Sequence, residues 1–202
     1  MRMKRLNGGF TMIELMIVVS IIAILVSIAI PNLLRSRMSA NEVSAVASLR
    51  SIGTAQAIFM RTDYAYSPWW QTDIVGTKEY AYPYWQLNAY QAPYNTPSSR
   101  INLISTELAC AAYFAPSPQV GPQAPKAGYY YCDLGQDQTT VVNHLVKFGI
   151  SASPAAYGLS GQNSFVMWND GRIWQMDRGA AALPYVFIVH SDPTQWGYIA
   201  VE

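Results

Sequence analysis

The feature that most restricts this chain is an unbroken apolar segment close to its N-terminus. Residues 10–30 read FTMIELMIVVSIIAILVSIAI, and Glu14 carries the only charge among them. As an α-helix, these 21 residues span roughly 31 Å, which matches the hydrocarbon thickness of a bilayer. The sequence therefore predicts a helix that can cross a membrane, and it raises the question of why a carboxylate lies near its start.

A short basic stretch precedes the apolar segment. Residues 1–9 read MRMKRLNGG, so three of the first five residues are basic, an order typical of a secretory signal. No small-x-small cleavage site follows, because the apolar segment runs directly into Pro31. The basic residues favour a cytoplasmic N-terminus, although Arg35 and Arg37 beyond the other end weaken this bias.

Residues 31–61 have the pattern of an amphipathic helix. The segment is rich in Ala, Leu, Arg, Met and Ser and has no proline after Pro31. Apolar residues recur there at helical spacing, namely Val43, Val46, Leu49, Ile52 and Phe59. One helix is therefore predicted from about residue 10 to 61, with a kink at Pro31 and a weak point at Gly53. A globular domain can pack on its amphipathic half.

Residues 62–100 form an aromatic-rich region. Ten aromatic residues lie between Tyr64 and Tyr94, and prolines at positions 68, 83, 93 and 97 exclude a long helix. Three interpretations remain open for these rings. They pack against the helix as a satellite core, they form an exposed contact surface, or they stack for carbohydrate adhesion or charge transport.

Residues 101–202 are expected to form a globular domain with an antiparallel sheet. A short helix is predicted in 101–115, with Asn102 or Ser105 as its cap, and a proline-rich surface loop follows. Strand-like stretches are GYYYCDL, LVKFGISA, SFVMW, RIWQM and YVFIVH, with a hairpin turn at Asn169-Asp170-Gly171. The predicted fold class is α+β, with a three- or four-stranded antiparallel sheet packed on the long helix.

Composition and motifs exclude several classes of function. The formal net charge is +1, and the basic residues cluster only at the N-terminus, so nucleic-acid binding is not expected. The sequence has no nucleophile elbow, Walker loop, dinucleotide fingerprint or HExxH motif. His144 and His190 are isolated. No enzymatic activity and no cofactor are therefore expected.

Two cysteines, Cys110 and Cys132, are too few for a disulfide-built fold and lack the spacing of a zinc knuckle. In an exported domain, a bridge between them is the expected use, and it would close the proline-rich loop with a gain of roughly 2 to 4 kcal/mol. The alternative is two buried free thiols.

The N-terminal residues also carry a family resemblance. Gly8-Gly9-Phe10-Thr11-Met12-Ile13-Glu14, with the basic leader before it and the apolar segment and Pro31 after it, resembles the N-terminus of type IV pilins and of the pseudopilins of type II secretion. The resemblance implies that a prepilin peptidase cuts between Gly9 and Phe10 and methylates the new amine on Phe10. The cut would leave 10 basic against 12 acidic residues.

Glu14 then has a physical role. A carboxylate in an apolar helix is costly unless it is paired, and removal of the leader creates an α-amino group at Phe10. The expected pairing joins Glu14 of one subunit to the amine of a neighbour during assembly. The alternative is that Glu14 merely lies at the membrane interface, within reach of lipid headgroups.

The resemblance implies a prepilin, the structural subunit of a type IV pilus or pilus-like filament. Its expected partners are the prepilin peptidase, an inner-membrane assembly platform, the membrane itself, and other copies and related pilins in a helical filament. Before assembly it would span the inner membrane once with its globular domain in the periplasm, and afterwards it would lie in a surface pilus or a periplasmic pseudopilus.

Two alternatives accompany this function: a pseudopilin of a type II secretion or DNA-uptake system, and a membrane-tethered periplasmic binding or enzymatic domain. By resemblance to some pseudopilins, calcium binding at Asp170, Asp177 and Asp192 is a further possibility, although no EF-hand spacing supports it.

Overall fold

One long helix dominates the N-terminal part of the chain. The computed structural model describes residues 9–62, 84–88, 102–113, 122–134, 136–137, 140–141, 147–180, 194 and 197–201. Helix α1 runs over Met12–Thr62, 51 residues, with Pro31 inside it. The helix predicted from residue 10 to 61 is confirmed, and the kink at Pro31 stays a prediction.

The chain divides into two compact units, Met1–Arg37 and Met38–Glu202. In the first unit, every described residue from Gly9 to Arg37 is exposed. The second unit contains the buried core and the sheet. The C-terminal part of α1, from Met38 onward, therefore belongs to the globular unit.

The main sheet has five antiparallel strands in the order β1-β4-β5-β6-β7. These are Tyr129–Asp133 (β1), Gly149–Pro154 (β4), Asn163–Trp168 (β5), Ile173–Asp177 (β6) and Ile199–Ala200 (β7). Strands β2 (Gln136–Asp137) and β3 (Thr140–Val141) form a separate pair. The α+β class with a small antiparallel sheet is confirmed, with five strands rather than three or four. The predicted strand YVFIVH lies outside the described residues.

The turn between β5 and β6 is where the sequence predicts it. Gly171 has a φ of 79°, in the left-handed region that favours glycine, and its N–H donates to the carbonyl oxygen of Trp168 at 2.9 Å. Asp170 Oδ1 accepts a hydrogen bond from the backbone N–H of Arg172 at 3.0 Å. The predicted Asn169-Asp170-Gly171 turn is therefore confirmed.

The core lies between α1 and one face of the sheet. The buried residues of α1 recur at helical spacing: Ala45, Leu49, Ile52, Ala55 and Phe59. From β5, Phe165 and Met167 join this core, whereas the intervening Val166 faces the opposite side of the sheet and packs in a second cluster. The predicted apolar stripe of α1 is wrong at Val43, which is 67% exposed, because the sheet covers only one side of the helix.

Gly53, which the sequence marks as a weak point, allows α1 to approach the sheet closely. A Cβ at this position would lie 2.9 Å from Met167 Cε, closer than such atoms normally come. The loss of helix propensity at this glycine therefore has a packing reason.

The short helix α2 covers Thr106–Cys110, and Ser105 is its N-cap, with Oγ accepting a hydrogen bond from Leu108 N at 3.3 Å. Of the two predicted caps, Ser105 is therefore confirmed. The 3-10 helix Tyr84–Asn88 packs beside α2, and the hydroxyl of Tyr84 donates to the carbonyl oxygen of Leu108 at 2.9 Å. Tyr84 is fully buried, which agrees with core packing for this one ring of the aromatic-rich region.

A half-buried carboxylate ends strand β1. Both oxygens of Asp133 accept from the backbone N–H of Tyr84, at 2.9 and 3.1 Å. Burial raises the pKa of Asp133 to about 7, and the hydrogen bond from Tyr84 only partly opposes this rise. Asp133 is thus a neutral-range titrating group that holds the start of the 3-10 helix.

Polar contacts tie α1 to the loop between β4 and β5. Asn41 Nδ2 donates to the carbonyl oxygen of Ser160 at 2.8 Å. Glu42 Oε1 accepts from the backbone N–H groups of Gln162 and Asn163 at 2.9 and 3.1 Å, and Oε2 accepts from Asn163 Nδ2 at 3.1 Å. One carboxylate therefore fixes the start of β5 against the helix.

Candidate assembly site

The N-terminus of α1 is closed by a reciprocal pair of hydrogen bonds between Thr11 and Glu14. Glu14 Oε2 accepts from the backbone N–H of Thr11 at 2.8 Å and from its hydroxyl at 2.7 Å, while Glu14 N–H donates to Thr11 Oγ1 at 3.3 Å. Thr11 is the residue before the first helical position, so the pair is a capping box. The negative charge also lies at the positive end of the helix dipole.

The capping box was missed in the sequence analysis, although its signal was present. The spacing Thr11-x-x-Glu14 immediately before an apolar segment is the pattern of such a box. The carboxylate was considered only as a charge in an apolar helix. It also determines where that helix begins.

The predicted cleavage junction lies in the open. Gly9 and Phe10 precede the helix, and the side chain of Phe10 is 80% exposed. A Cβ at Gly9 would meet no atom within 4 Å, so the packing of this chain does not require a glycine there. Cleavage after Gly9 stays a prediction.

The apolar surface of α1 is exposed over its whole N-terminal part. Large apolar side chains from Met12 to Leu34 are between 38% and 81% exposed. Soluble monomers rarely expose a patch of this extent. By length and composition, α1 is one helix among the described residues that can cross a membrane.

The small polar residues of this surface bond to their own helix. The hydroxyl of Ser20 donates to the carbonyl oxygen of Met16 at 2.7 Å, and that of Ser27 donates to Ile24 at 2.7 Å. Because these hydroxyls are satisfied, they add little cost in an apolar environment. Glu14 remains as the ionisable group of the segment, exposed and bonded within the described residues only to Thr11.

No disulfide bond joins Cys110 and Cys132 in the structure. Each cysteine is next in sequence to one partner of a backbone hydrogen bond: the N–H of Tyr131 donates to the carbonyl oxygen of Ala111 at 2.9 Å. Burial raises the pKa of Cys132 to about 12, so its thiol is protonated at neutral pH. The bridge between the two cysteines stays a prediction.

Two of the three aspartates named as calcium candidates lie at opposite ends of β6. Asp170 lies in the turn before β6 and Asp177 at the far end of that strand, where it accepts from the hydroxyl of Tyr157 at 3.0 Å. Asp192 lies outside the described residues. Among the residues that the structure describes, no three His, Cys, Asp or Glu side chains form a group that could hold a metal ion.

A family model matches the N-terminal part of the chain. Residues 4–30 match the model of the prokaryotic N-terminal methylation motif. The type IV major pilin protein PilA of Myxococcus xanthus is 44% identical over 70 residues, which are 33% of this chain and 32% of that protein. The type IV wide pilus major component PilA4 of Thermus thermophilus is 42% identical over 59 residues, 29% of this chain and 45% of that protein.

These matches confirm the resemblance to type IV pilins that the N-terminal residues indicate. The chain spans about a third of the length of the first relative and less than half of the second. No solved structure matches the chain. The match to the methylation motif covers the capping box and most of the exposed apolar surface.

Proposed function

We propose that this chain is the structural subunit of a type IV pilus, cut between Gly9 and Phe10, methylated on Phe10 and assembled through α1. The observation that carries this proposal is the exposed apolar surface of α1, which is capped by a single carboxylate directly behind an open Gly9-Phe10 junction. A membrane anchor alone needs neither the carboxylate nor the junction. Both relatives are pilus components by name, which favours a pilus over a secretion pseudopilus.

Before assembly, the exposed segment would span the inner membrane, with the globular unit in the periplasm. Lipid then covers the apolar side chains, and the bonded hydroxyls of Ser20 and Ser27 leave no polar group of those two side chains unsatisfied. In the filament, the helices of neighbouring copies replace the lipid. The inner-membrane assembly platform and the prepilin peptidase are the partners that such a transfer requires.

Glu14 would act twice in this process. Within one copy, its Oε2 orders the start of the helix through Thr11. Cleavage frees an amine at Phe10, and the exposed carboxylate of Glu14 on one copy is then available to the amine of a neighbour. Charge pairing inside an apolar bundle is strong because water does not screen it, and the pairing would align one copy with the next.

Three variants separate the charge of Glu14 from its capping role. Glu14→Gln removes the charge but keeps an acceptor in the capping box, and Thr11→Ala removes the hydroxyl cap but keeps the charge. Glu14→Val removes the charge and the carboxylate half of the box, while the backbone N–H of residue 14 can still donate to Thr11 Oγ1. We expect mass spectrometry to find all three cut at Phe10 and methylated. We expect electron microscopy to find filaments from Thr11→Ala, which loses about 1 kcal/mol of helix stability, but few or none from the two Glu14 variants.

Filaments at wild-type level from Glu14→Val would contradict the pairing role. An intact Met1-to-Gly9 leader in the surface fraction of wild-type cells would contradict the processing step.

A further inference from the structure

A groove lies in the globular unit between α1 and the sheet. Its cavity volume is about 350 Å³, enough for a few side chains but not for a whole helix. The residues that line it from the helix and from the sheet include Val43, Val46, Arg50, Phe165, Gln175 and Val201. Most of these side chains are apolar, and Val43 is 67% exposed while Val46 and Val201 are half-buried, so the groove presents apolar surface mainly at Val43.

Arg50 gives the groove a positive charge that can pair with a partner. Glu42 also borders it, but its side chain is half-buried and its carboxylate accepts three hydrogen bonds from Gln162 and Asn163. The guanidinium of Arg50 is exposed and makes no ion pair with any residue that the structure describes. The groove therefore fits an apolar side chain that is accompanied by a carboxylate.

A projection with this chemistry exists on the same molecule, at the loop between β4 and β5. We call residues 155–162 the tip. Its backbone is closed by hydrogen bonds from Gly158 N to Gly161 O at 2.9 Å and from Ser160 N to Ala156 O at 2.8 Å. Asn41 fastens it to α1. The tip is therefore a firmly held element rather than a loose loop.

The tip presents an apolar side chain to the solvent, and an acidic side chain of β6 lies beside it. Leu159 is 65% exposed, and the hydroxyl of Tyr157 donates to both oxygens of Asp177 at 3.0 Å. The carboxylate of Asp177 is exposed. The next residue, Arg178, lies near Tyr198. Burial raises the pKa of Tyr198, and the positive charge of Arg178 opposes part of that rise.

We infer that the groove of one copy receives the tip of a second copy, with Leu159 against Val43 and Val46 and with Asp177 opposite Arg50. This inference rests on the proposed function, because it concerns contacts between copies. The tip and the groove are different surfaces that adjoin each other at Glu42, so in a filament one copy would insert its tip into the next copy and receive the tip of the previous one. Head-to-tail contacts repeat from copy to copy and produce an open helical array, as a filament requires. The exposed apolar segment of α1 is a poorer occupant, since beside Arg50 it offers only Glu14, which we assign to another partner.

A photo-crosslinker tests the contact directly. Leu159 of the full chain is replaced by benzoylphenylalanine, and filaments sheared from cells are irradiated. We expect covalent dimers on a denaturing gel, with tryptic peptide Met38–Arg50 of the other copy attached to residue 159. The same crosslinker at Asp170, an exposed position in the turn between β5 and β6, is the matched control and should not label that peptide.

Charge exchange gives a second test. We expect Arg50→Asp and Asp177→Arg each to lower filament yield about fivefold and the double variant to restore it. Asp177 also bonds to Tyr157 and to the N–H of Gly179, so Asp177→Asn is included because it removes the charge and keeps an acceptor. It should lower the yield without changing the thermal unfolding temperature.

The outcomes separate this inference from the proposed function. If the wild-type chain forms no filaments, the proposed function fails. If filaments form but residue 159 labels only other peptides, such as those within 10–35, the function stands and the tip-to-groove contact is wrong. Failure of the double variant to restore the yield, with each variant still folded, also contradicts the contact.

Discussion

At the scale of single residues, the carboxylates of this chain each have a defined task. Glu14 caps α1, Glu42 fixes the start of β5, and Asp133 holds the N–H of Tyr84. In a chain where only 12% of residues are charged, such placements are informative. Asp133 differs from the others because burial raises its pKa to about 7.

The raised pKa of Asp133 predicts a loss of stability as the pH rises. In the unfolded chain its pKa is about 4, so between pH 4 and 7 the folded state binds the proton more tightly and the free energy of unfolding falls with increasing pH. We expect Asp133→Asn to raise the free energy of unfolding by about 2 kcal/mol at pH 8, with little effect at pH 4. Urea unfolding of the full chain in detergent at both pH values measures this, and equal effects at the two would contradict it.

At the scale of elements, the sequence was most informative where a pattern is long. The helix α1 follows from apolar spacing over some fifty residues, and β5 and β6 follow from their strand content and the Asp170-Gly171 turn. The sequence does not indicate strands β2, β3 and β7, because each has only two residues and is too short to show an alternation of apolar and polar side chains. Contacts such as those of Glu42 join residues about 120 positions apart, and no local pattern indicates them.

The contact between α1 and the start of β5 predicts the cost of losing Glu42. Glu42→Ala removes an acceptor from two backbone N–H groups and one amide, so we expect a loss of about 2 kcal/mol in the free energy of unfolding. Glu42→Gln keeps the Oε1 acceptor and should cost less than half as much. Chemical unfolding followed by tryptophan fluorescence measures both, and equal losses for the two variants would show that the hydrogen bonds are not the cause.

At the scale of the whole molecule, the two units differ in how much of their apolar surface is exposed to solvent. The unit Met38–Glu202 buries its apolar residues in its own core, whereas every described residue of the first unit is exposed. The sequence predicts this contrast, because an unbroken apolar segment gives way to a periodic one near Pro31. It does not predict the groove, which is lined by residues of α1 and of the sheet that lie more than 100 positions apart.

This division predicts that a chain starting at Met38 folds without the first unit. None of the residues in the two buried clusters precedes Ala45, so the truncation removes no buried core residue. We expect a monomer on size exclusion, with a cooperative thermal transition by circular dichroism and no need for detergent. The proposed tip-to-groove contact is weak for a single pair, so this monomer should not dimerise at micromolar concentration. Aggregation or the absence of a transition would show that the first unit is needed for folding.

The capping box has a consequence for the chain's maturation under the proposed function. A protease needs its substrate bond in extended form, and a peptide bond inside a helix is already engaged in hydrogen bonds. Because the box caps the start of α1 at Thr11, the peptide bond between Gly9 and Phe10 lies just before the helix. Because Thr11 and Glu14 both lie after this bond, the mature chain would keep the whole box, and its helix would begin two residues after the new N-terminus.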